Sequence, residues 1–252
     1  MTESSLFYKS PFYNRRLLFE YRLTSKGLDL YPVILSIWRF HRRWGLDPAS
    51  LPEQLIHSDC GQPFLPELVC STCGEAPTPE EIIVHSRTTE FNQQERSPVR
   101  RTRIANKLES MGDTHLATVV LGDAWNMLLL DAATKGVSQF HDLQHQLGIS
   151  SNILAARLKL MVQLGLLEQA TDEKDKRVRK YVLSDKGRET YPIILTLTAW
   201  ADRWLAGNDG PSEVLVHAPC QSYATFRLRC SVCSQNLHVS NVRTSALHGH
   251  PE

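Results

Sequence analysis

No stretch of the chain is apolar for long enough to cross a bilayer. The most apolar runs, around Val33 to Trp38 and Leu116 to Leu130, are short or interrupted, whereas a spanning helix needs about 20 apolar residues. The opening MTESSLFYKSPFYNRR has neither the basic start nor the apolar centre of a secretion signal, so a cytoplasmic protein is expected. An excess of one charge is also missing: 28 lysines and arginines face 27 aspartates and glutamates. That balance excludes a global attraction for nucleic acid and leaves only local footprints. There is no phosphate-binding glycine loop, no nucleophile elbow and no pair of carboxylates on one helix face, so an enzyme has no residues to stand on. Cysteine is scarce, and all six are confined to two short stretches. What remains is a chain of 252 residues, long enough for two domains, with the 42% hydrophobic and 22% charged content of a soluble globular protein.

The most informative stretch runs from Gly148 to Leu183. Ser150 and Ser151 stand where a helix N-cap belongs, and Leu154, Leu158, Met161 and Leu164 follow at the spacing of one buried helical stripe. The opposite side carries Asn152, Ala156, Lys159 and Gln163 with Ala155 beside them, a small polar face with one positive charge and no carboxylate. Such a face fits a DNA major groove, where Asn and Gln read adenine edges and Lys reads guanine or phosphate. Gly165 ends the helix where a C-cap glycine is favoured.

Leu166 and Leu167 then lead to a charged tip, Thr171 to Arg177, and to a second apolar run, Val178 to Leu183. Two strands around a basic tip, directly after such a helix, make a winged helix. Lys174, Lys176, Arg177, Arg179 and Lys180 are its expected phosphate contacts, which set register without reading sequence. The competing reading is an ordinary solvated hairpin. A second basic cluster, Arg96, Arg100, Arg101, Arg103 and Lys107, lies in a polar stretch that is either a minor-groove arm or a solvated linker.

An internal repeat organises the rest. Tyr21 to Trp44 aligns without a gap on Tyr181 to Trp204, sharing Lys26-Gly27 with Lys186-Gly187 and Tyr31-Pro32 with Tyr191-Pro192. The register continues through His57, Cys60, Cys70 and Cys73, which fall on His217, Cys220, Cys230 and Cys233, and runs back to Leu6 and Phe7, which fall on Leu166 and Leu167. Counterparts of everything before Gly165 would precede Met1, so the first copy as given is expected to begin at its hairpin, with Lys9, Arg15 and Arg16 around a Pro11 to Asn14 tip, and to lack a reading helix, either because that part is lost or because the true start lies upstream.

Taken in order, residues 1–46 read as a truncated copy with a closing helix Ser25 to Trp44, whose stripe is Leu28, Tyr31, Leu35 and Trp38 and in which Pro32 sits in a first turn or sets a kink. Residues 51–77 form a Cys/His cassette and 78–112 a linker. Residues 113–208 hold the complete copy: a short helix Thr114 to Leu121, a helix Ala124 to Thr134 burying Trp125, Leu128 and Leu129, a helix Gln139 to Leu147, the reading helix, the wing and a closing helix Ser184 to Ala206. Residues 212–243 are the second cassette. The fold class is α+β: a duplicated winged helix-turn-helix with small zinc-ribbon-like appendages.

Each cassette has His-x2-Cys, nine residues, then Cys-x2-Cys. His57, Cys60, Cys70 and Cys73 in one, and His217, Cys220, Cys230 and Cys233 in the other, offer three thiolates and an imidazole to a structural zinc ion. Reduced structural cysteines and a Cys-x-x-Cys redox pair are the other readings, and the recurrence of one spacing favours metal. Glycine follows Cys60 and Cys73, as knuckles prefer, but Gln221 and Ser234 follow Cys220 and Cys233, which makes the second site the weaker. His141 and His145 lie one turn apart without a third ligand and read as an exposed face. Trp38, Trp125 and Trp200 read as core anchors.

Trp125, Phe140-x-x-Leu143, Gly148-Ile149-Ser150, Leu154-x-x-Arg157-Leu158, Gly165-Leu166-Leu167 and Tyr181-x-Leu183-x-x-Lys186-Gly187 together resemble the HxlR-type winged-helix transcription regulators of bacteria. The resemblance covers Gly122 to Trp204 fully and Leu6 to Trp44 in part. It implies sequence-specific binding to double-stranded DNA as a homodimer, with terminal helices forming the dimer contact. The chain departs from the family pattern in its shortened first copy, in its two cassettes and in having no cysteine near the reading helix, which weakens any carry-over of the thiol sensing that some members perform. The alternative function is a protein-interaction module whose DNA binding is weak or lost.

Overall fold

The computed structural model describes residues 5–14, 16–45, 54–86, 123–172, 175–176, 178–207, 210–211 and 213–245. The expected helix Thr114 to Leu121, the basic cluster from Arg96 to Lys107, and Arg15, Lys174 and Arg177 lie outside them.

The first element is a hairpin of β1 (Phe7–Asn14) and β2 (Arg16–Leu23), closed where Asn14 faces Arg16. The Pro11 to Asn14 tip expected from the sequence is therefore part of β1, with Pro11 opposite Phe19. A two-stranded sheet has only edges, so a proline without an N–H is tolerated there. Helix α1 (Ser25–Leu28) and helix α2 (Tyr31–Trp44) follow. In the second half the order is α3 (Ala124–Thr134), α4 (Phe140–Leu147), α5 (Ser151–Gln163), a hairpin of β7 (Leu167–Thr171) and β8 (Arg179–Leu183), then α6 (Asp185–Arg188) and α7 (Tyr191–Leu205). Each closing segment is thus a short and a long helix, one of the two arrangements that Pro32 allowed, with proline in the first turn of the long one, where its missing N–H costs nothing.

The repeated Lys-Gly pair has the same physical cause in both halves. Thr24 and Ser184 cap α1 and α6, accepting from the Gly27 and Gly187 amides at 3.2 and 3.0 Å. Their own amides donate to Leu6 and Leu166 at 3.0 and 3.1 Å. The carbonyl just before each hairpin lies so close to the helix that a Cβ on Gly27 would stand 2.3 Å from the Leu6 oxygen, and one on Gly187 2.0 Å from that of Leu166. Only glycine fits.

Two expected core positions are not core: Leu28 and Leu128 are exposed. In α3 the buried side is Asn126, Leu129, Leu130 and Ala132, while Trp125 is half-buried. Both repeated tyrosines pack inward, and burial pushes the Tyr31 phenol up to about 12 and raises that of Tyr191 as well.

The cassettes supply β3 (Leu55–His57), β4 (Pro63–Phe64), β5 (Pro66–Cys70) and β6 (Ile82–Ser86) from the first half, and β9 (Glu213–His217), β10 (Ser222–Tyr223), β11 (Phe226–Cys230) and β12 (Val242–Thr244) from the second. They are not separate appendages. Strand β12 pairs with β3, β6 pairs with β9, and β5 pairs with β11, so every sheet here takes strands from both halves. Residues 79–86, expected in the linker, form a 3-10 turn (Pro79–Glu81) and β6. Their composition, Ile82-Ile83-Val84, suits a strand, but its partner lies too far along the chain to be read locally.

The helices of the second half are joined to these sheets by Lys135 at the end of α3, which lies 2.8 Å from Asp131 and 2.7 Å from Glu213 of β9. Burial works against the ammonium, yet the two carboxylates outweigh it and leave the Lys135 pKa raised. Burial raises the Asp131 carboxyl. Helices α2 and α7 pack together, with Arg43 paired to Glu189 at 2.7 Å and Arg203 to Asp29 at 3.1 Å.

Gly187→Ala is expected to lower the unfolding free energy by about 2 kcal/mol or more, because backbone must move to admit the methyl group. Gly61→Ala, whose new methyl would meet open space and cost only backbone strain, is expected to lose about 1 kcal/mol. Urea unfolding of the two variants checks the order.

Candidate nucleic-acid interface and metal-ligand clusters

Helices α4 and α5 form a helix-turn-helix. Gly148 closes α4 in the left-handed region at φ 60°, its amide donating to Gln144 at 3.0 Å, and Ser150 begins α5. Leu154, Leu158 and Met161 are fully buried, and Leu164 is half-buried. On the other side Ser150, Ser151, Asn152, Ala155, Ala156, Lys159 and Gln163 are all exposed. The face read from the sequence is therefore an open surface, and Ile153 at 36% exposure lies at its border.

What holds this helix was only partly legible. Asp123 uses one carboxylate oxygen to cap α3, accepting from the Trp125 amide at 3.0 Å, and the other to pair with Arg157 of α5 at 2.6 Å. Both side chains are nearly buried, so the pair fixes the angle between α3 and α5. At the other end, Lys186 donates to the Leu164 carbonyl at 2.8 Å and Ser184 to that of Gly165 at 2.5 Å. A cation at a helix C-terminus meets the negative end of the helix dipole. Burial lowers the Lys186 pKa.

The wing is β7 with β8, and Ser138 extends it, accepting from the Tyr181 amide at 2.8 Å. Lys176 and Arg179 are exposed near its tip. Lys180, also expected to meet phosphate, instead bridges the hairpin to Asp172 at 2.5 Å. His141 and His145 lie exposed on α4 and belong to neither metal-ligand group.

Among the described residues, two groups of four metal-ligating side chains form, and neither is a cassette. One joins His57 and Cys60 to Cys230 and Cys233; the other joins Cys70 and Cys73 to His217 and Cys220. The expected grouping of each cassette around its own ion is corrected accordingly. In the first group His57 Nδ1 lies 3.4 Å from Cys60 Sγ and 3.2 Å from Cys233 Sγ. In the second, His217 Nδ1 lies 3.4 Å from both Cys73 and Cys220 Sγ, and Cys70 Sγ is 3.8 Å from Cys220 Sγ. All six thiols are free.

Each knuckle turns the same way. The amides of Gly61, Gly74, Gln221 and Ser234 donate to the carbonyls of His57, Cys70, His217 and Cys230 at 2.8 to 2.9 Å. All four residues have positive φ, from 54° at Gln221 to 79° at Gly74. Because ligands are exchanged, each group contains one glycine knuckle and one without it, so neither is the weaker on that ground. Asp59 Oδ2 lies 3.2 Å from His57 Nε2, close but off-line for a hydrogen bond.

Arg157→Ala is expected to cost about 3 kcal/mol, because it leaves a buried carboxylate without its partner. Lys159→Ala, on the open face of the same helix, is expected to change stability by less than about 0.5 kcal/mol. Thermal and urea unfolding would separate the two.

Residues 120–209 match the HxlR-like helix-turn-helix family, a span that contains α3 to α7. The chain is 33% identical over 126 residues to an uncharacterized HTH-type transcriptional regulator of Mycobacterium tuberculosis (strain CDC 1551), an alignment covering 50% of this chain and 80% of that protein. A similarly described regulator of Mycobacterium bovis is 32% identical over 126 residues, with the same coverage. Among solved structures, PA1607, described as a transcription-factor candidate, is 27% identical, with 56% of this chain and 98% of that chain covered at a TM-score of 0.48. With the helix-turn-helix and its wing in place and four-fifths of a regulator matched at this identity, the chain belongs to the HxlR-like helix-turn-helix family.

Proposed function

We propose that α5 reads base-pair edges in the major groove while the β7–β8 wing grips the adjacent phosphates. The protein is a sequence-specific DNA-binding transcription regulator of the HxlR type, and this assigns the work to particular side chains. The observation that supports it is the open face of α5: seven exposed residues without a carboxylate, on a helix anchored by a buried stripe. Asn152 and Gln163 suit adenine, Lys159 suits guanine or phosphate, and the small Ala155 and Ala156 let the helix approach closely. Ser150 and Ser151 lie at the helix start, where exposed amides and hydroxyls suit phosphate. Lys176 and Arg179, with Lys174 and Arg177 beyond the described residues, are the wing contacts. The competing role as a pure protein-interaction module is not favoured, because the family match falls on this unit.

The two Cys/His groups suit zinc, which takes four N and S ligands in closed structural sites. Duplication accounts for the matched caps, hairpins and knuckles of the two halves. The terminal helices α2 and α7, which the family resemblance assigns to a contact between two chains, meet within one chain. A homodimer therefore uses a different face. The site of action is the cytoplasm, where duplex DNA is met, and no catalytic step is assigned.

In mobility-shift assays, Asn152→Ala with Lys159→Ala is expected to cost about 2 kcal/mol or more on the preferred operator and far less on unrelated duplex. Lys176→Ala with Arg179→Ala is expected to weaken all duplexes alike and reduce the slope of log affinity against log salt by about 2. Unchanged operator preference in the first pair would show that another surface reads the bases.

A further inference from the structure

We propose that the chain holds two zinc ions, each ligated by both halves at once, one by His57, Cys60, Cys230 and Cys233 and the other by Cys70, Cys73, His217 and Cys220, so that the metals clasp the halves into one body. The inference rests on the zinc reading above and goes beyond it in the partition of the ligands and in what that partition does.

The partition follows from one strand pairing. Strands β5 and β11 are antiparallel, with Leu68 opposite its own repeat counterpart Leu228, Cys70 opposite Phe226 and Cys230 opposite Pro66. Each strand ends in a Cys-x2-Cys knuckle, and antiparallel pairing carries that knuckle to the start of the other strand, beside the other half's His-x2-Cys knuckle. The neighbouring sheets obey the same exchange: Ile82 of β6 faces His217, while its counterpart Val242 of β12 faces His57. The helix contacts do too, since Arg43 with Glu189 and Arg203 with Asp29 are counterpart pairs. Residue i meeting j while the counterpart of j meets that of i is the signature of a twofold, self-complementary interface. Here it is realised within one polypeptide.

The donors have the geometry of zinc sites. Thiolates about 2.3 Å from a tetrahedral zinc ion stand roughly 3.8 Å from one another, and Cys70 and Cys220 are 3.8 Å apart. A disulfide would need about 2 Å. Each histidine presents Nδ1 to two sulfurs and is itself completely buried. The Val232 amide donates to Cys230 Sγ at 3.4 Å, which stabilises a thiolate. Three thiolates and an imidazole leave no open position, which marks the sites as structural.

The test is zinc content per reduced full-length chain, measured by plasma mass spectrometry. The unmodified protein is expected to hold two zinc ions, one for each group. Cys60→Ser with Cys233→Ser removes ligands of one proposed site and should leave one zinc; Cys60→Ser with Cys73→Ser damages both and should leave none. Ligation within cassettes predicts the reverse order and would overturn the proposal. Cadmium-113 substitution of the unmutated protein covers the case in which a variant fails to fold. One cadmium resonance should couple to the β-protons of Cys60, Cys230 and Cys233, and coupling to Cys60, Cys70 and Cys73 would refute the exchange. A reduced protein that retains no zinc after equilibration with the ion would refute the sites themselves. None of these readings uses DNA, so a failed mobility shift and a failed zinc count point to different errors.

Discussion

The antiparallel pairing of β5 with β11, centred where Leu68 faces Leu228, constrains more of this molecule than any other contact. Both strands are short and lead directly from one knuckle region to the next, so their relative direction decides which donors meet. Parallel pairing would place like knuckles side by side, four cysteines at one end and two histidine knuckles at the other. Antiparallel pairing mixes them, giving each group one imidazole and three thiols. The same choice of direction puts β6 beside β9 and β12 beside β3, and brings α2 against α7. The interface is buried along its length: Leu68 and Leu228 at its centre are buried, and Val69 and the end residues Cys70 and Cys230 have no exposed surface.

The helix-turn-helix unit meets this body through polar contacts as well as packing, among them Trp200 and Trp204 of α7 donating to the Lys26 carbonyl and to Asp29 at 2.9 Å each. Lys135 joins α3 to β9 through Glu213, and Arg188 of α6 meets Glu80 beside β6, holding the Glu80 carboxyl below its usual range. Between these ties lies a cleft of about 710 Å³ lined by Val84, Lys135, Tyr181, Tyr191 and Leu215 among others. Residues of the wing strand β8 and of the shared strands β6 and β9 all line it, so the hairpin and the shared sheets border one cleft. The buried stripe of α5 and the Asp123–Arg157 pair make this helix part of a rigid unit, and a rigid support is what the proposed base recognition requires.

Local signals carried most of the second half. The boundaries of α3, α4, α5 and the wing, the exposed reading face and the left-handed glycines Gly148 and Gly165 all follow from periodicity and cap chemistry, which act within a few residues. The exchange of ligands did not, because spacing alone cannot say which chain segment closes a site. One physical clue was present. Between Gly61 and Cys70 the sequence QPFLPELV contains two prolines and no glycine, asparagine or aspartate to reverse the chain. A run of that kind stays extended at about 3.3 Å per residue, which carries Cys70 away from Cys60. Leu128 and Lys180 were misplaced for a related reason: helical period gave the stripe of α3 but not its rotation, and a basic wing residue found a carboxylate, Asp172, across its own hairpin.

The first half shows why a metal clasp matters to such an arrangement. In the second half Leu167 is 1% exposed, because β7 packs on the helices of the reading unit; its counterpart Phe7 in β1 is 51% exposed, and Tyr21 of β2 is 74% exposed. The β1–β2 hairpin therefore contributes little burial, and among the described residues the first half relies on α2 and its share of the exchanged sheets. The ion pairs that tie each long helix to the other half's interhelix turn, Arg43 with Glu189 and Arg203 with Asp29, are partly exposed, and such pairs contribute about 0 to 1 kcal/mol each. Structural zinc in small domains contributes on the order of 10 kcal/mol. A difference of that size makes the proposed metal centres, and not the surface charges, the interaction that decides whether the two halves share one fixed arrangement beneath the reading helix.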